Sequence, residues 1–306
     1  MNSATGNDWV DDYLARIGAA AGGPGQFNTA AGGPGQSGPV RPVSPDLRVL
    51  RDLQHAHLYT VPFENLSIHL GEPIVLDEMA LVTKVVRNRR GGFCYELNGA
   101  FAALLTALGF RVSRLSARVF GDDGLPSPPF DHMALRVDLA PWPEAQANQT
   151  EPWLVDVGFG RFAEQPLRMD FRGDQPDPSG IFRIADSPSG HGDLDVFCDG
   201  RPEYRMESRA YSLSDFVPTC WWQQTSPGSH FTQSLTCSIL TKPGRVTLSG
   251  DRLIVTEGDE RSEHKLADDA EILAAYHHYF GITLDRVPVV RQLRQLPQLA
   301  GPPVAD

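Results

Sequence analysis

The spacing of apolar residues changes once, near Gly109, and that change limits the fold more than any other feature of the chain. Before it, apolar side chains recur at helical spacing: Trp9, Val10, Tyr13, Leu14 and Ile17, then Leu47, Leu50 and Leu53, then Leu97, Phe101, Leu104, Leu105 and Leu108. After it, alternation takes over, with Val112, Arg114 and Ser116 on one side of a strand and Ser113, Leu115 and Ala117 on the other. A helical unit is therefore followed by an antiparallel β unit, which is an α+β arrangement. Asp46 is placed to open one helix, and Gly18, Gly109 and Gly281 to close others. Further helices are predicted over Leu76–Asn88 and Ala267–Phe280.

Two strands carry polar residues in informative places. Asp131–Leu139 puts Met133, Leu135, Val137 and Leu139 on one face and His132 on the other. Trp153–Gly160 is apolar on both faces except at Asp156, so the pattern predicts a buried strand holding a carboxylate that needs a partner. Short strands broken by turn residues continue to about residue 210 and suggest an antiparallel barrel or sandwich. A hairpin through Ser249-Gly250-Asp251 follows an aromatic and polar stretch that starts at Asp215.

Residues 19–45 break this order, for Ala-Ala-Gly-Gly-Pro-Gly-Gln occurs there twice, from Ala20 and from Ala30. So short and apolar-poor a repeat reads as a loop inserted between two helices of one domain. At 306 residues the chain exceeds one compact core. The expected division is a helical bundle over 1–115, a β-barrel over 116–210, a smaller α/β unit over 211–290 and a poorly ordered tail over 291–306.

Composition narrows the function. A formal net charge of -11 disfavours a nucleic-acid partner, which needs a basic surface. No apolar run is long enough to cross a bilayer and the start of the chain is polar, so no membrane partner and a cytoplasmic location are expected. The four cysteines form no CxxC pair, and neither His55 with His57 nor His277 with His278 has companion ligands at metal spacing; no metal site is expected.

Chemistry concentrates at Arg90-Gly91-Gly92-Phe93-Cys94-Tyr95-Glu96-Leu97-Asn98. The two glycines allow a sharp turn, and Cys94 enters the first turn of the following helix, where free amides and the helix dipole favour thiolate. Cys94 as nucleophile, His132 as base and Asp156 as orienter would form a triad suited to acyl transfer from a thioester. Each residue also has a plain structural reading: a small buried thiol, an exposed or packing histidine, a salt-bridged aspartate.

In order along the chain, Val61-Pro62-Phe63-Glu64-Asn65-Leu66, the Arg90–Asn98 stretch, Asp131-His132-Met133 and Leu154-Val155-Asp156-Val157-Gly158-Phe159-Gly160 resemble the arylamine N-acetyltransferase family. The resemblance implies a helical bundle, a β-barrel and an α/β lid with a papain-like Cys-His-Asp core at the junction of the first two. It further implies a two-step exchange in which acetyl-coenzyme A acylates Cys94 and an arylamine or arylhydrazine takes the acetyl group. Acetyl-coenzyme A would be a cosubstrate, with no tightly bound cofactor. By the same likeness Phe159 and Gly158 would contact substrate, and Thr225 and Ser226 would lie near the cofactor cleft. Cys220 and Gln224 depart from the more usual Asn and small polar residues. Rival readings are an amide synthase that closes macrolactam rings, a cysteine hydrolase with the same triad, and a non-catalytic binding module. The sequence leaves the oligomeric state open, with a homodimer as one candidate.

Overall fold

The computed structural model describes residues 8–19, 45–140 and 150–290. The repeat insertion, the middle of the proline-rich connection before Trp153 and the tail after Val290 lie outside the described residues.

The first part is helical. It runs α1 (Asp8–Arg16), α2 (Leu47–Leu58), a two-residue strand β1 (Phe63–Glu64), α3 (Leu66–Leu70), α4 (Glu78–Val86) and α5 (Cys94–Ala107). Asp46 and Asp77 cap α2 and α4 by accepting the amides of Val49 and Ala80 at 2.9 and 3.0 Å. Helix α5 is buried continuously from Cys94 to Leu105, as an apolar-all-round pattern requires. Its Leu97, Phe101 and Leu104 share one core with Tyr13, Leu50, Leu53 and Val85. Leu135 and Val137 of the first sheet complete that core, so the helical and β parts are welded together beneath α5.

The sheet comprises β2 (Arg111–Val119), β3 (His132–Leu139), β4 (Glu151–Val155), β5 (Leu167–Arg168), β6 (Gln175–Asp177), β7 (Gly180–Asp186), β8 (Leu194–Cys198) and β9 (Arg201–Tyr211). The spatial order is β5-β4-β3-β2-β9-β8-β7-β6, with every pair antiparallel. The two edges are joined by a side chain. Gln175 on β6 accepts the amide of Arg168 on β5 at 2.7 Å and donates to its carbonyl at 3.1 Å, standing in for the missing ladder bonds of a nearly closed barrel.

The last part opens with a 3-10 turn at Leu213–Phe216, then α6 (Val217–Thr225), α7 (His230–Gln233), β10 (Cys237–Thr241), β11 (Gly244–Ser249), β12 (Arg252–Glu257), β13 (Glu260–Lys265) and α8 (Asp269–Phe280). Its sheet runs β1-β10-β11-β12-β13, so Phe63–Glu64 leaves the helical part to pair with β10. Among the described residues no helix is long and apolar enough to cross a membrane.

The structure departs from the sequence reading in four places. The strand expected to run through Asp156 ends at Val155, which leaves Asp156 buried in the turn beyond it. Strand β13 is exposed at every position and has no apolar face to announce it. Helix α6 carries Pro218 in its first turn, where the missing N–H costs nothing. Strand β1 is too short to show a period.

Candidate active site

Close backbone contact explains the Gly-Gly turn. A Cβ on Gly91 would lie 1.8 Å from the Pro62 carbonyl oxygen, and one on Gly92 would lie 2.6 Å from the Glu96 side chain. The Val-Pro-Phe-Glu segment therefore runs directly against the turn, with Phe63 bridged to Gly92. Asn65 ties the same segment to the last part of the chain: its amide donates to the Phe231 and Ser234 carbonyls at 3.0 and 2.6 Å and accepts the Thr236 amide at 2.9 Å.

Below the turn lies a charged cluster. Glu64 accepts from Arg90 Nε at 3.0 Å and from the Leu66 amide at 2.6 Å. Arg90 also reaches Glu72 at 3.0 Å. Lys84 pairs with Glu96 at 2.6 Å, and Glu96 accepts the Phe93 amide at 3.2 Å, satisfying one free donor at the start of α5. Burial pushes the Glu64 carboxyl up, but Lys84 and Arg90 outweigh it and hold the group below its ordinary range. Burial wins at Glu96, whose carboxyl is raised despite Lys84.

On the other side of the turn, Asp156 accepts four hydrogen bonds. His132 Nε2 lies 2.7 Å and Tyr204 Oη 3.2 Å from Oδ2; Asn98 Nδ2 and the Gly158 amide each lie 2.9 Å from Oδ1. Asn98 also donates to the Met133 carbonyl at 2.6 Å and accepts the Val157 amide at 3.0 Å, so one side chain of α5 locks β3 to the Asp156 turn. A fully hydrogen-bonded carboxylate tolerates this depth of burial. Neither Asn98 nor Tyr204 was given a role from sequence. Asn98 lies on the inner face one turn after Cys94, but Tyr204 is on β9 and its meeting with Asp156 depends on the barrel topology.

Cys94 is the first residue of α5 and 3 % exposed. Burial pushes its thiol well above the ordinary range, and the Met133 backbone hydrogen bond offsets this only in part. Burial and the helix start thus act in opposite directions on this thiol. Cys94, His132, Gly158 and Phe159 line one cavity of about 900 Å³. Phe159 meets the His132 ring edge-on at 5.1 Å. A Cβ on Gly158 would lie 2.8 Å from Cys94 Cα, so this glycine lets the Asp156 turn close against the cysteine.

The far wall comes from α6 and α7, through Trp222, Gln223 and Phe231. Gln223 donates to Asp131, beside His132, at 2.7 Å. Thr225 ends α6 and bonds the Trp221 carbonyl at 2.7 Å, and Ser226 accepts the Gly228 amide at 3.2 Å; neither is among the residues that line the cavity. Among the described residues no group of three or more His, Cys, Asp or Glu side chains is arranged to hold a metal ion.

A family model described as N-acetyltransferase matches residues 46–289 of the chain. The arylamine N-acetyltransferase of Mycobacterium tuberculosis is 34 % identical over 245 residues, covering 78 % of this chain and 84 % of the relative. The structure of the Mycobacterium marinum arylamine N-acetyltransferase in complex with CoA superposes with a TM-score of 0.71 at 30 % identity, over 89 % of this chain and 92 % of that one. The Salmonella typhimurium arylamine N-acetyltransferase gives 0.73 at 28 %, over 90 % and 91 %. The chain belongs to the arylamine N-acetyltransferase family.

Proposed function

We propose that the protein transfers an acetyl group from acetyl-coenzyme A to an arylamine or arylhydrazine through a thioester on Cys94. His132 takes the Sγ proton, and the thiolate adds to the thioester carbonyl. Coenzyme A leaves with that proton, and acetyl-Cys94 remains. The amine then attacks, His132 removes its proton and returns it to Sγ, and the amide departs. Asp156 holds the imidazole by Nε2 and stabilises the imidazolium that exists in each half-reaction.

One observation carries this reading: a histidine bonded at 2.7 Å to a carboxylate, which has no other charged partner among the described residues, stands in the cavity that Cys94 lines. The raised thiol makes the base necessary, and the aromatic walls at Phe63, Phe159 and Phe231 suit an aromatic acceptor. The CoA complex of the M. marinum relative supports the donor. Thr225 and Ser226 follow the cavity-lining Trp222 and Gln223 and are assigned to the approach of the cofactor. Division at about residues 115 and 210 and a cytosolic location complete the proposal. Incubation with acetyl-coenzyme A in the absence of amine tests it: intact mass should rise by one acetyl group, mapped to Cys94.

A further inference from the structure

The cavity that Cys94 and His132 line also contains a carboxylate for which the proposed mechanism has no use. Asp131 immediately precedes His132, the first residue of β3, is half-buried, and lines the same cavity. Its backbone carbonyl accepts the Tyr95 hydroxyl at 3.0 Å, so it is pinned to the first turn of the helix that Cys94 opens. One side-chain oxygen is taken: Gln223 Nε2 donates to Oδ1 at 2.7 Å, and Ser229 Oγ donates to Gln223 Oε1, which fixes the direction of that amide. The other oxygen, Oδ2, has no partner among the described residues. No lysine, arginine or glutamate stands among the described residues that line the cavity. The remaining titratable groups of its wall are Cys94, His132 and His230; His132 already faces Asp156 at 2.7 Å, and His230 meets Ser234 Oγ at 3.2 Å. Asp131 therefore gives the cavity a negative charge that no lysine or arginine of its wall offsets.

We propose that Asp131 selects the acceptor by charge, favouring arylamines whose ring carries a second, cationic group over neutral ones, and neutral ones over anionic ones. This rests on the transferase reading, since it names the acceptor class for that same cavity. A cleft lined by one sign of charge concentrates ligands of the other, and the field of a partly desolvated carboxylate acts without direct contact. The selected cation is not the reacting nitrogen, which attacks as the neutral amine, so it has to be a second group on the acceptor. A cavity of about 900 Å³ has room for a ring with such a side-arm. The donor is not barred by the same charge, because the pantetheine arm that bears the thioester is uncharged and the phosphates of coenzyme A sit at its far end. An Asp131 that served only to anchor Gln223 would show no preference among the three classes.

The test uses three acceptors with one aniline nucleophile, insulated from the group that differs by saturated carbon: para-(aminoethyl)aniline, a cation at neutral pH; para-aminophenylacetamide, neutral; and para-aminophenylacetate, an anion. With acetyl-coenzyme A saturating, kcat/KM for acetylation of the ring nitrogen should fall in that order, by about tenfold from cation to anion at low salt, and the spread should narrow at high salt. Asp131→Asn keeps an acceptor oxygen for Gln223 and removes the charge, so it should bring the three values within about twofold of one another. Calorimetric titration of the same amines without acetyl-coenzyme A reads the order independently of turnover. Equal values or a preference for the anion in the unmodified chain overturn the proposal, and so does an order that Asp131→Asn leaves intact. If that variant does not fold, the salt series on the unmodified chain decides, since a preference untouched by salt is not one of charge. A chain that binds the three in the expected order but transfers no acetyl group contradicts the transferase reading alone, and one that acetylates all three equally contradicts the charge selection alone.

Discussion

His57 and His132 are both sealed from solvent, at 0 % and 2 % exposure, yet their surroundings differ. His57, on α2, meets Tyr13 Oη at 3.1 Å and the Phe101 ring at 5.0 Å, and its Nδ1 has no hydrogen-bond partner among the described residues. Burial, aided by Arg16, lowers its pKa from 6.5 to about 3. It is a packing element that stays neutral. His132 has a carboxylate at 2.7 Å and opens onto the cavity that Cys94 lines. Burial alone disarms a histidine, whereas in the proposed mechanism the carboxylate beside His132 gives the imidazolium a counter-charge.

The substitution that would most change this contrast is Asp156→Asn, which keeps the shape and removes the charge. It should make His132 resemble His57 and lower kcat/KM for an arylamine by about 10⁴-fold, with the thermal midpoint nearly unchanged. Steady-state kinetics check this, and activity within about tenfold of the unmodified chain would remove Asp156 from the mechanism.

The charged cluster below the turn should behave differently from the Asp156 site, because its charges are paired off. Arg90→Ala leaves Glu64 buried beside a smaller share of positive charge. It should cost about 3–5 kcal/mol in denaturant unfolding. The activity that remains should follow the folded fraction. A stable Arg90→Ala protein with no acetyl transfer would place Arg90 in the chemistry instead.

How much of this contrast was legible in the sequence follows from what each residue depends on. Asp46, Asp77 and Asp268 cap their helices through the next three residues, and Gly18, Gly109 and Gly281 end theirs with positive φ, so local pattern suffices. Cys94, His132 and Asp156 could be singled out because each breaks a local rule: a thiol after two glycines, a polar strand start, a carboxylate in an apolar run. Tyr204 breaks none. It reads as an ordinary strand aromatic until β9 pairs with β2 and carries it to Asp156. Strand β13 and helix α6 were missed because their sequences carry little apolar periodicity. The difference between His57 and His132 was likewise hidden, since it lies in partners that are distant along the chain.

His57 also makes a prediction in pH. Its folded-state pKa is depressed, so its contribution to stability is complete above the unfolded value of 6.5 and is lost as pH falls toward about 3. Across that window unfolding free energy should fall by about 1.4 kcal/mol per pH unit from this group. His57→Gln should flatten the slope in denaturant titrations at pH 7, 6 and 5. A slope unchanged by the substitution would mean that His57 is not held neutral.

The smallest effect concerns Tyr204. Tyr204→Phe deletes one of the four bonds to Asp156 and leaves the imidazole contact in place. Loss of about 1 kcal/mol, a several-fold fall in kcat/KM, is expected. A loss as large as that of Asp156→Asn would make the hydroxyl, and not the carboxylate alone, the group that distinguishes His132 from His57.

If His132 turns the buried Cys94 thiol into an acyl carrier, the mass of the protein after acetyl-coenzyme A without amine reports it. One added acetyl group on Cys94 is expected, absent from Cys94→Ala and discharged by an aromatic amine. An unchanged mass for the folded, reduced protein, or an acetyl group that persists in Cys94→Ala, would contradict it.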